Sequence, residues 1–187
     1  GWGIVVTGVG MHQMWAAQHC KFNEPNTFVT SGGLGTMGFE VPGALGAQIG
    51  RPDTTVWSVC GDGGFQMTMC DIATAVENHA EVKFAILNNN SLGLVHQLQA
   101  LFFEKDYVAS EYSANPDFVK IADAYGIRGI RVTKQEEVVD AVQQAMETAG
   151  PVIVDFIVKE DEGLFPFIPN GQSVKEMLEE PAFEEIA

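Results

Sequence analysis

Short apolar runs alternate with segments of helical periodicity along the chain, a pattern typical of a βαβ protein with a parallel sheet. The last run is almost continuously Val and Ile, which indicates a strand buried on both faces. We therefore predict an α/β fold with an open, mostly parallel six-stranded sheet and helices on both faces. The predicted strands run from Ile4 to Val9, Thr27 to Thr30, Thr55 to Cys60, Val82 to Leu87, Gly129 to Val132 and Val152 to Val158.

Helical patterns lie between these strands. Two apolar faces at helical spacing consist of Phe65, Met69, Ile72 and Val76, and of Val138, Val142, Ala145 and Ala149. Asn115 followed by Pro116 predicts an N-cap and a first-turn proline for a helix after the fourth strand. Ser173 with Glu176 predicts a capping box at the start of a short last helix.

Length and composition favour a single domain over residues 1–187. The chain has 187 residues and 46% hydrophobic content, enough for one full core. From residue 159 onward, eight acidic residues stand against two lysines, so we expect an acidic, solvated C-terminal tail there.

Charge and cysteine content exclude several classes of partner. A net charge of −15 disfavours nucleic acid, because binding a phosphate backbone requires clustered Lys and Arg. No apolar run is long enough to cross a membrane. The three cysteines form no CxxC pair, which argues against a disulfide scaffold or structural zinc and favours a reducing, cytoplasmic location.

Polar and Gly-rich segments follow the third and fourth predicted strands. These are Gly61-Asp62-Gly63-Gly64 and Asn88-Asn89. Parallel strand ends meet at one edge of the sheet, so Asp62 and Asn89 should be neighbours. A carboxylate and an amide oxygen suit Mg²⁺, and the glycines and the start of a helix near Phe65 would admit a diphosphate. Either motif alone would be an ordinary turn signal.

A dinucleotide site is the main alternative at these loops. The run from Gly33 to Gly38 fits GxGxxG after a strand and before a helix. The acid that should hold a ribose hydroxyl is missing, because Asp53 precedes its strand and Asp62 lies within a glycine turn. We therefore disfavour a nicotinamide-dependent dehydrogenase.

Histidines offer a second alternative, a transition-metal site. His12 and His19 lie two helical turns apart beside Cys20, but no further ligand has suitable spacing. We interpret His12 as a polar residue at a helix start, beside the loop Gly8-Val9-Gly10. His79 is interpreted as a surface residue.

The spacing of Gly61-Asp62-Gly63 and Asn88-Asn89, 24 residues apart, resembles the signature of thiamin-diphosphate enzymes. From Gly3 to Leu178 the chain is similar to the C-terminal third of acetohydroxyacid (acetolactate) synthase large subunits. The segments that carry this likeness are Gly8-Val9-Gly10, the run from His12 to Gln18, the run from Thr30 to Phe39, Phe65-Gln66-Met67-Thr68, Asn115-Pro116-Asp117-Phe118 and Lys134-Gln135-Glu136-Glu137.

The resemblance implies a thiamin-diphosphate-binding fold and a role for each site residue. Mg²⁺ would be held by Asp62, Asn89 and the backbone carbonyl of Ser91. The Gly35 carbonyl would bind the aminopyrimidine, and Met37 would support the bent form of the cofactor. The residues expected around the cofactor are Gly10, Met11, His12, Gly35, Met37, Gly63, Gly64, Leu92, Gly93 and Leu94.

The resemblance also implies that other domains take part. The family's proton-relay glutamate belongs to an N-terminal pyrimidine-binding domain, and its FAD site belongs to a middle domain. We expect the chain to act with the chain or segment that carries the pyrimidine-binding domain, in a hetero- or homo-oligomer, and to be inactive alone. The implied reaction decarboxylates pyruvate and condenses it with a second 2-oxo acid.

Four positions depart from the family pattern. Glu40 stands where a small residue is usual, Met11 where Gln is usual, Leu98 where Trp is frequent and Leu94 where Met is common. Leu98 bears on which acceptor is used. Two alternatives stay open, a subunit of a split thiamin-dependent 2-oxo acid decarboxylase and a non-catalytic regulatory or assembly module.

Overall fold

The strands form one parallel sheet. The computed structural model describes residues 3–160 and 162–179. Its strands are β1 (Ile4–Thr7), β2 (Phe28–Thr30), β3 (Val56–Gly61), β4 (Lys83–Asn88), β5 (Arg128–Val132) and β6 (Val152–Ile157). They pair in the order β2-β1-β3-β4-β6-β5, and every neighbouring pair is parallel. The predicted six-stranded α/β fold is confirmed.

Helices connect the strands. They are α1 (Met11–His19), α2 (Glu40–Gly50), α3 (Asp62–Thr68), α4 (Ile72–Glu77), α5 (Gly93–Phe102), α6 (Phe118–Ala124) and α7 (Val138–Glu147). Short 3₁₀ turns occupy Met69–Asp71, Gln135–Glu137 and Val174–Glu176.

The apolar face predicted around Phe65 and Ile72 exists, but it does not belong to one continuous helix. Both side chains are fully buried, while the 3₁₀ turn separates α3 from α4. Helix α3 also begins at Asp62, earlier than predicted, so Gly63 and Gly64 are helical. Ala149 was wrongly assigned to the later face, since α7 ends at Glu147 and Ala149 is exposed.

Side chains alternate between two cores on opposite faces of the sheet. Along β6, Ile153 belongs to the larger core, which also contains apolar residues of α2, α3, α4 and α6. Val152 and Val154 belong to the second core, packed with Ala141 and Ala145 of α7. Because consecutive strand residues face opposite sides, a continuous apolar strand is the expected consequence of burial on both faces.

Two predicted helix caps have different outcomes. Ser173 and Glu176 form the expected capping box, with Ser173 Oγ donating to Glu176 Oε2 at 2.8 Å, although the element is a 3₁₀ turn. The N-cap assigned to Asn115 is wrong, because α6 is capped by Asp117, which accepts from the N–H groups of Val119 and Lys120. Asn115 is thereby available for contacts at the sheet edge.

The acidic C-terminal segment is only partly solvated. Leu164 is fully buried, and its N–H donates to Gln97 Oε1 at 2.7 Å while its carbonyl accepts from Gln97 Nε2 at 3.1 Å. Four acids assigned to the tail lie outside the described residues, namely Asp161, Glu180, Glu184 and Glu185. No helix among the described residues is long and apolar enough to span a bilayer.

The order of the strands locates a crevice at one edge of the sheet. The chain passes from β1 outward to β2 and then returns to β3 on the other side of β1. Connections leaving β1 and β3 therefore diverge, and ligands of open α/β sheets bind in such crevices beyond the carboxyl ends of the strands.

Candidate functional site

A cavity of about 210 Å³ lies at this crevice. Loops that follow β1, β2, β3 and β4 all contribute to its wall. It is lined by all the residues predicted to surround the cofactor, Gly10, Met11, His12, Gly35, Met37, Gly63, Gly64, Leu92, Gly93 and Leu94. Asn89, Ser91 and Leu98 line it as well. The structure thus brings together residues that span more than 80 positions of sequence.

Glycine is required where backbone segments approach most closely. Gly10 has a φ of 148° and Gly35 a φ of 67°, values that side-chain-bearing residues rarely adopt. At Gly93 a Cβ atom would lie 2.5 Å from both Asn89 Nδ2 and Met11 Sδ. These positions bring main-chain groups to the cavity wall without side chains in between.

His12 projects from the start of α1 into this wall and is 6% exposed. Burial lowers its pKa to about 4, so the imidazole is neutral at physiological pH. Its Nε2 has no hydrogen-bond partner among the described residues. A buried ring nitrogen without a partner is costly, and a polar ligand atom in the cavity would satisfy it.

Asp62 and Asn89 lie at adjacent strand ends, as the sequence predicts. Gly61 pairs with Leu87 across β3 and β4, so the next residues, Asp62 and Asn88, are close neighbours, and Asn89 follows directly. Asp62 is 1% exposed, and its Oδ1 accepts from the Gly63 N–H at 3.0 Å. Asn89 Oδ1 accepts from the Ser91 N–H at 3.3 Å, which turns the loop so that Ser91 reaches the cavity.

The oxygen set at this edge suits Mg²⁺. Asp62 is a buried carboxylate, and no Lys, Arg or His pairs with it in the part of the chain that the structure describes. Burial raises its pKa to about 6, so ionisation is penalised until a positive charge arrives. The same residues contain no cluster of three or more His, Cys, Asp or Glu side chains. A hard cation held by one carboxylate and neutral oxygens fits this chemistry.

Asn115 is the functional neighbour that the sequence did not reveal. Its Nδ2 donates to Asp62 Oδ2 at 2.7 Å and to Asn88 Oδ1 at 3.0 Å. Because Asn115-Pro116 resembles the start of a helix, the sequence pattern does not reveal the contact of Asn115 with Asp62. The remaining signal in the sequence is that Asp117, an equally good N-cap, follows two residues later.

Glu40 begins α2 and is completely buried beneath the glycine loops. Its carboxyl group lies against Gly8 and Gly64, where a Cβ at either glycine would overlap it. Neither oxygen has a hydrogen-bond partner. Burial raises its pKa to about 7, and the nearby N–H groups of Glu40 and Gly38 oppose this shift only in part. The acid therefore occupies space that the absent glycine side chains leave open.

These features suit a diphosphate-bearing cofactor, and the comparison with known protein families points to the same class of ligand. Residues 8–156 match the family described as thiamine pyrophosphate enzyme, C-terminal TPP binding domain. The chain belongs to this family of thiamin-dependent enzymes.

Individual relatives within this family point to acetolactate synthases. The chain is 44% identical to the mitochondrial acetolactate synthase catalytic subunit of Saccharomyces cerevisiae, over 94% of this chain and 25% of that protein. It is 47% identical to the acetolactate synthase large subunit of Corynebacterium glutamicum, over 91% and 28% respectively. It is 42% identical to the acetolactate synthase isozyme 2 large subunit of Escherichia coli, over 94% of this chain and 32% of that protein. The chain spans a quarter to a third of these relatives, and the predicted likeness to acetolactate synthases is confirmed.

Proposed function

We propose that this chain is the diphosphate-binding domain of an acetolactate-synthase-type carboligase. It would bind thiamin diphosphate through Mg²⁺, and the assembled enzyme would decarboxylate pyruvate and condense it with a second 2-oxo acid. The observation that carries the proposal is the single cavity whose wall contains every residue assigned to the cofactor, including Gly63, which directly follows the buried Asp62.

The chain's own groups would bind and orient the cofactor. Asp62, Asn89 and the Ser91 carbonyl would hold Mg²⁺ against the diphosphate. Main-chain N–H groups at the starts of α1 and α3 would donate to phosphate oxygens, where the helix dipole favours negative charge. When bound, thiamin diphosphate supplies the carbon nucleophile of the reaction.

Apolar residues would position the reactive end of the cofactor. Met37 follows Gly35 in the loop after β2 and lines the cavity, so it would support the ring-to-ring bend of the cofactor. Leu94 and Leu98, one helical turn apart on α5, line the same cavity and exclude water from it. Leu98 would contact the acceptor, and its smaller volume relative to Trp would change the choice of acceptor.

Three further expectations complete the proposal. The chain would work with a pyrimidine-binding domain that supplies a glutamate, in a hetero- or homo-oligomer, and would be inactive without that domain. FAD, where present, would bind outside this chain. The three free cysteines suit a reducing compartment such as the cytoplasm, while the yeast relative's name includes the word mitochondrial.

The test is to combine the chain with its pyrimidine-binding domain, thiamin diphosphate, Mg²⁺ and pyruvate, and to measure acetolactate. We expect acetolactate from the complete mixture and none from Asp62→Ala. Full activity of Asp62→Ala would show that the metal assignment is wrong. Acetaldehyde as the product would favour the decarboxylase, and failure to bind thiamin diphosphate would favour the non-catalytic module.

A further inference from the structure

A chain of hydrogen bonds crosses the end of β4, on the side away from the cofactor cavity. Asn115 does not line the cofactor cavity but a second cavity of about 420 Å³, together with Asn88, Arg131 and Asp155. This second group of residues reaches Asp62 through the Asn115 amide, and Asn89 lines both cavities.

The orientation of the Asn115 amide is fixed by its neighbours. Gln66 Nε2 donates to the Asp62 carbonyl at 3.2 Å, and a carbonyl can only accept. The same nitrogen donates to Asn115 Oδ1 at 3.0 Å, so the Asn115 nitrogen must face the other way. It donates to Asp62 Oδ2 at 2.7 Å.

The orientation of the Asn88 amide is also fixed by its hydrogen-bond partners. Its Oδ1 accepts from the Asn90 N–H at 3.3 Å and from Asn115 Nδ2 at 3.0 Å. Its Nδ2 donates to Asp155 Oδ1 at 3.0 Å. Asn88 therefore belongs to this network and does not line the cofactor cavity, whereas the next residue, Asn89, lines both cavities.

Arg131 anchors the far end. Its Nε donates to Asp155 Oδ2 at 3.1 Å, and its NH2 group donates to Asp117 Oδ1 at 2.6 Å. Asp155 is fully buried, whereas the Arg131 side chain is 40% exposed, so the pair is shielded from solvent on its carboxylate side. Every donor and acceptor from Arg131 to Asp62 has a fixed direction.

We propose that Asn115 is a positioning residue of the metal centre: it fixes the Asp62 carboxylate for Mg²⁺, and Asn88, Asp155 and Arg131 hold it in place. This inference rests on the proposed function. Mg²⁺ requires near-ideal octahedral geometry, so a carboxylate that rotates freely binds it less well. Groups that orient metal ligands in this way typically change metal affinity by about 10–100-fold.

The experiment measures Mn²⁺ binding to the intact protein with saturating thiamin diphosphate, from the electron paramagnetic resonance signal of free Mn²⁺. Asn115→Ala should weaken binding by about 10–100-fold. Competition with Mg²⁺ and Ca²⁺ gives a second readout. Mg²⁺ affinity should fall more than Ca²⁺ affinity, because Ca²⁺ accepts irregular geometry, and a merely structural defect would not change this ratio.

Two further variants keep the test decisive. Arg131→Lys retains the charge but loses the forked geometry, and should weaken Mn²⁺ binding by about 2–5-fold even if Asn115→Ala does not fold. Lys120→Ala removes a side chain that pairs with Asp117 at 3.7 Å without reaching the network, and should leave Mn²⁺ binding unchanged. Native affinity in both Asn115→Ala and Arg131→Lys would overturn the inference.

Failure of the proposed function is recognised separately with Asp62→Asn. If that variant binds Mn²⁺ as the native protein does, Asp62 is not a ligand and the metal assignment itself fails. If Asp62→Asn loses binding while Asn115→Ala retains native affinity and native Mg²⁺ to Ca²⁺ preference, only the role of Asn115 is refuted.

Discussion

Two buried aspartates flank the end of β4 and differ in how their charge is balanced. Asp155 in β6 is fully buried and lies 3.1 Å from the Arg131 guanidinium. Asp62 after β3 is 1% exposed and has no cationic side chain beside it among the described residues. A buried charge is tolerated only with a partner. Asp155 therefore has its cation within the protein, whereas under the proposed function Asp62 would receive one with the cofactor.

The residues around Asp62 and around Asp155 also differ in how completely their buried polar atoms are hydrogen-bonded. Of the five buried side-chain atoms without a partner in the part of the chain described, four lie near the cofactor cavity, namely His12 Nε2, Ser91 Oγ and both carboxyl oxygens of Glu40, and the fifth, Gln48 Oε1, lies elsewhere. The side of β4 with Asp155 has none of them. Most buried polar groups in folded proteins are satisfied, so exceptions gathered at one place indicate a ligand site.

Replacement of Asp62 should separate binding from folding most strongly. Asp62→Asn removes the carboxylate, so thiamin diphosphate with Mg²⁺ should bind at least about 100-fold more weakly. The unfolding free energy of the ligand-free protein should change by only about 1 kcal/mol, because removing a buried charge without a cationic partner offsets the loss of one acceptor for Asn115 Nδ2 or the Gly63 N–H. Thermal unfolding with and without both ligands measures this, since a ligand at 100 times its Kd stabilises by about 2.7 kcal/mol.

The matched control is Asp123→Asn, an exposed acid on α6. It should retain the full ligand-induced increase in melting temperature. An equal increase in Asp62→Asn would remove the distinction between the two aspartates.

Replacement of Arg131 should have the opposite result. Arg131→Ala leaves Asp155 buried without its cation, and removing one partner of a buried pair costs about 3–5 kcal/mol. Because the Arg131 side chain is 40% exposed, we expect about 2 kcal/mol of lost unfolding free energy. Urea unfolding at pH 7.5 measures the loss. Arg128→Ala, exposed on the same strand, is the control and should cost less than about 0.5 kcal/mol.

The raised pKa of Glu40, which lies beneath the loops of the cofactor cavity, should make the stability of the protein depend on pH. Its pKa is raised from 4.5 to about 7 by burial, so the folded protein binds this proton more tightly than the unfolded chain. Its contribution is complete below pH 4.5 and is lost as pH rises through 7. Glu40→Gln cannot ionise, and at pH 8 it should be more stable than the native protein by on the order of 2 kcal/mol.

The measurement is chemical unfolding of both proteins at pH 5 and pH 8. The difference between them should be small at pH 5 and favour Glu40→Gln at pH 8. A constant difference across this range would show that Glu40 keeps its charge, and would require a cation or a donor that the structure does not show.

Sequence patterns predicted what depends on local periodicity and on strand order. The strands of the sheet, the cavity loops and the proximity of Asp62 to Asn89 follow from apolar runs that end in Gly and Asn. Burial on both faces of β6 also follows, because alternation was absent from its pattern.

Contacts between distant segments could not be predicted in this way. Asn115 is 53 residues from Asp62. The proline that follows it also makes Asn115 resemble a local helix cap. The burial of Glu40 depends on space left by Gly8 and Gly64 on two other elements. The break between α3 and α4 preserves the apolar spacing, so the pattern of Phe65 and Ile72 cannot reveal it.

The corrected helix cap gives the smallest effect. Asp117→Ala removes the side chain that accepts from Val119 N–H at 3.1 Å and Lys120 N–H at 3.2 Å. Loss of an N-cap costs about 1 kcal/mol. Arg131 retains Asp155, so the buried pair should survive and the loss should stay well below that of Arg131→Ala. Asp117→Asn keeps an acceptor and should recover most of the stability in urea unfolding. If Asp117→Ala costs as much as Arg131→Ala, the cap and the buried pair form one cooperative unit, and the two sides of β4 differ by more than one charge.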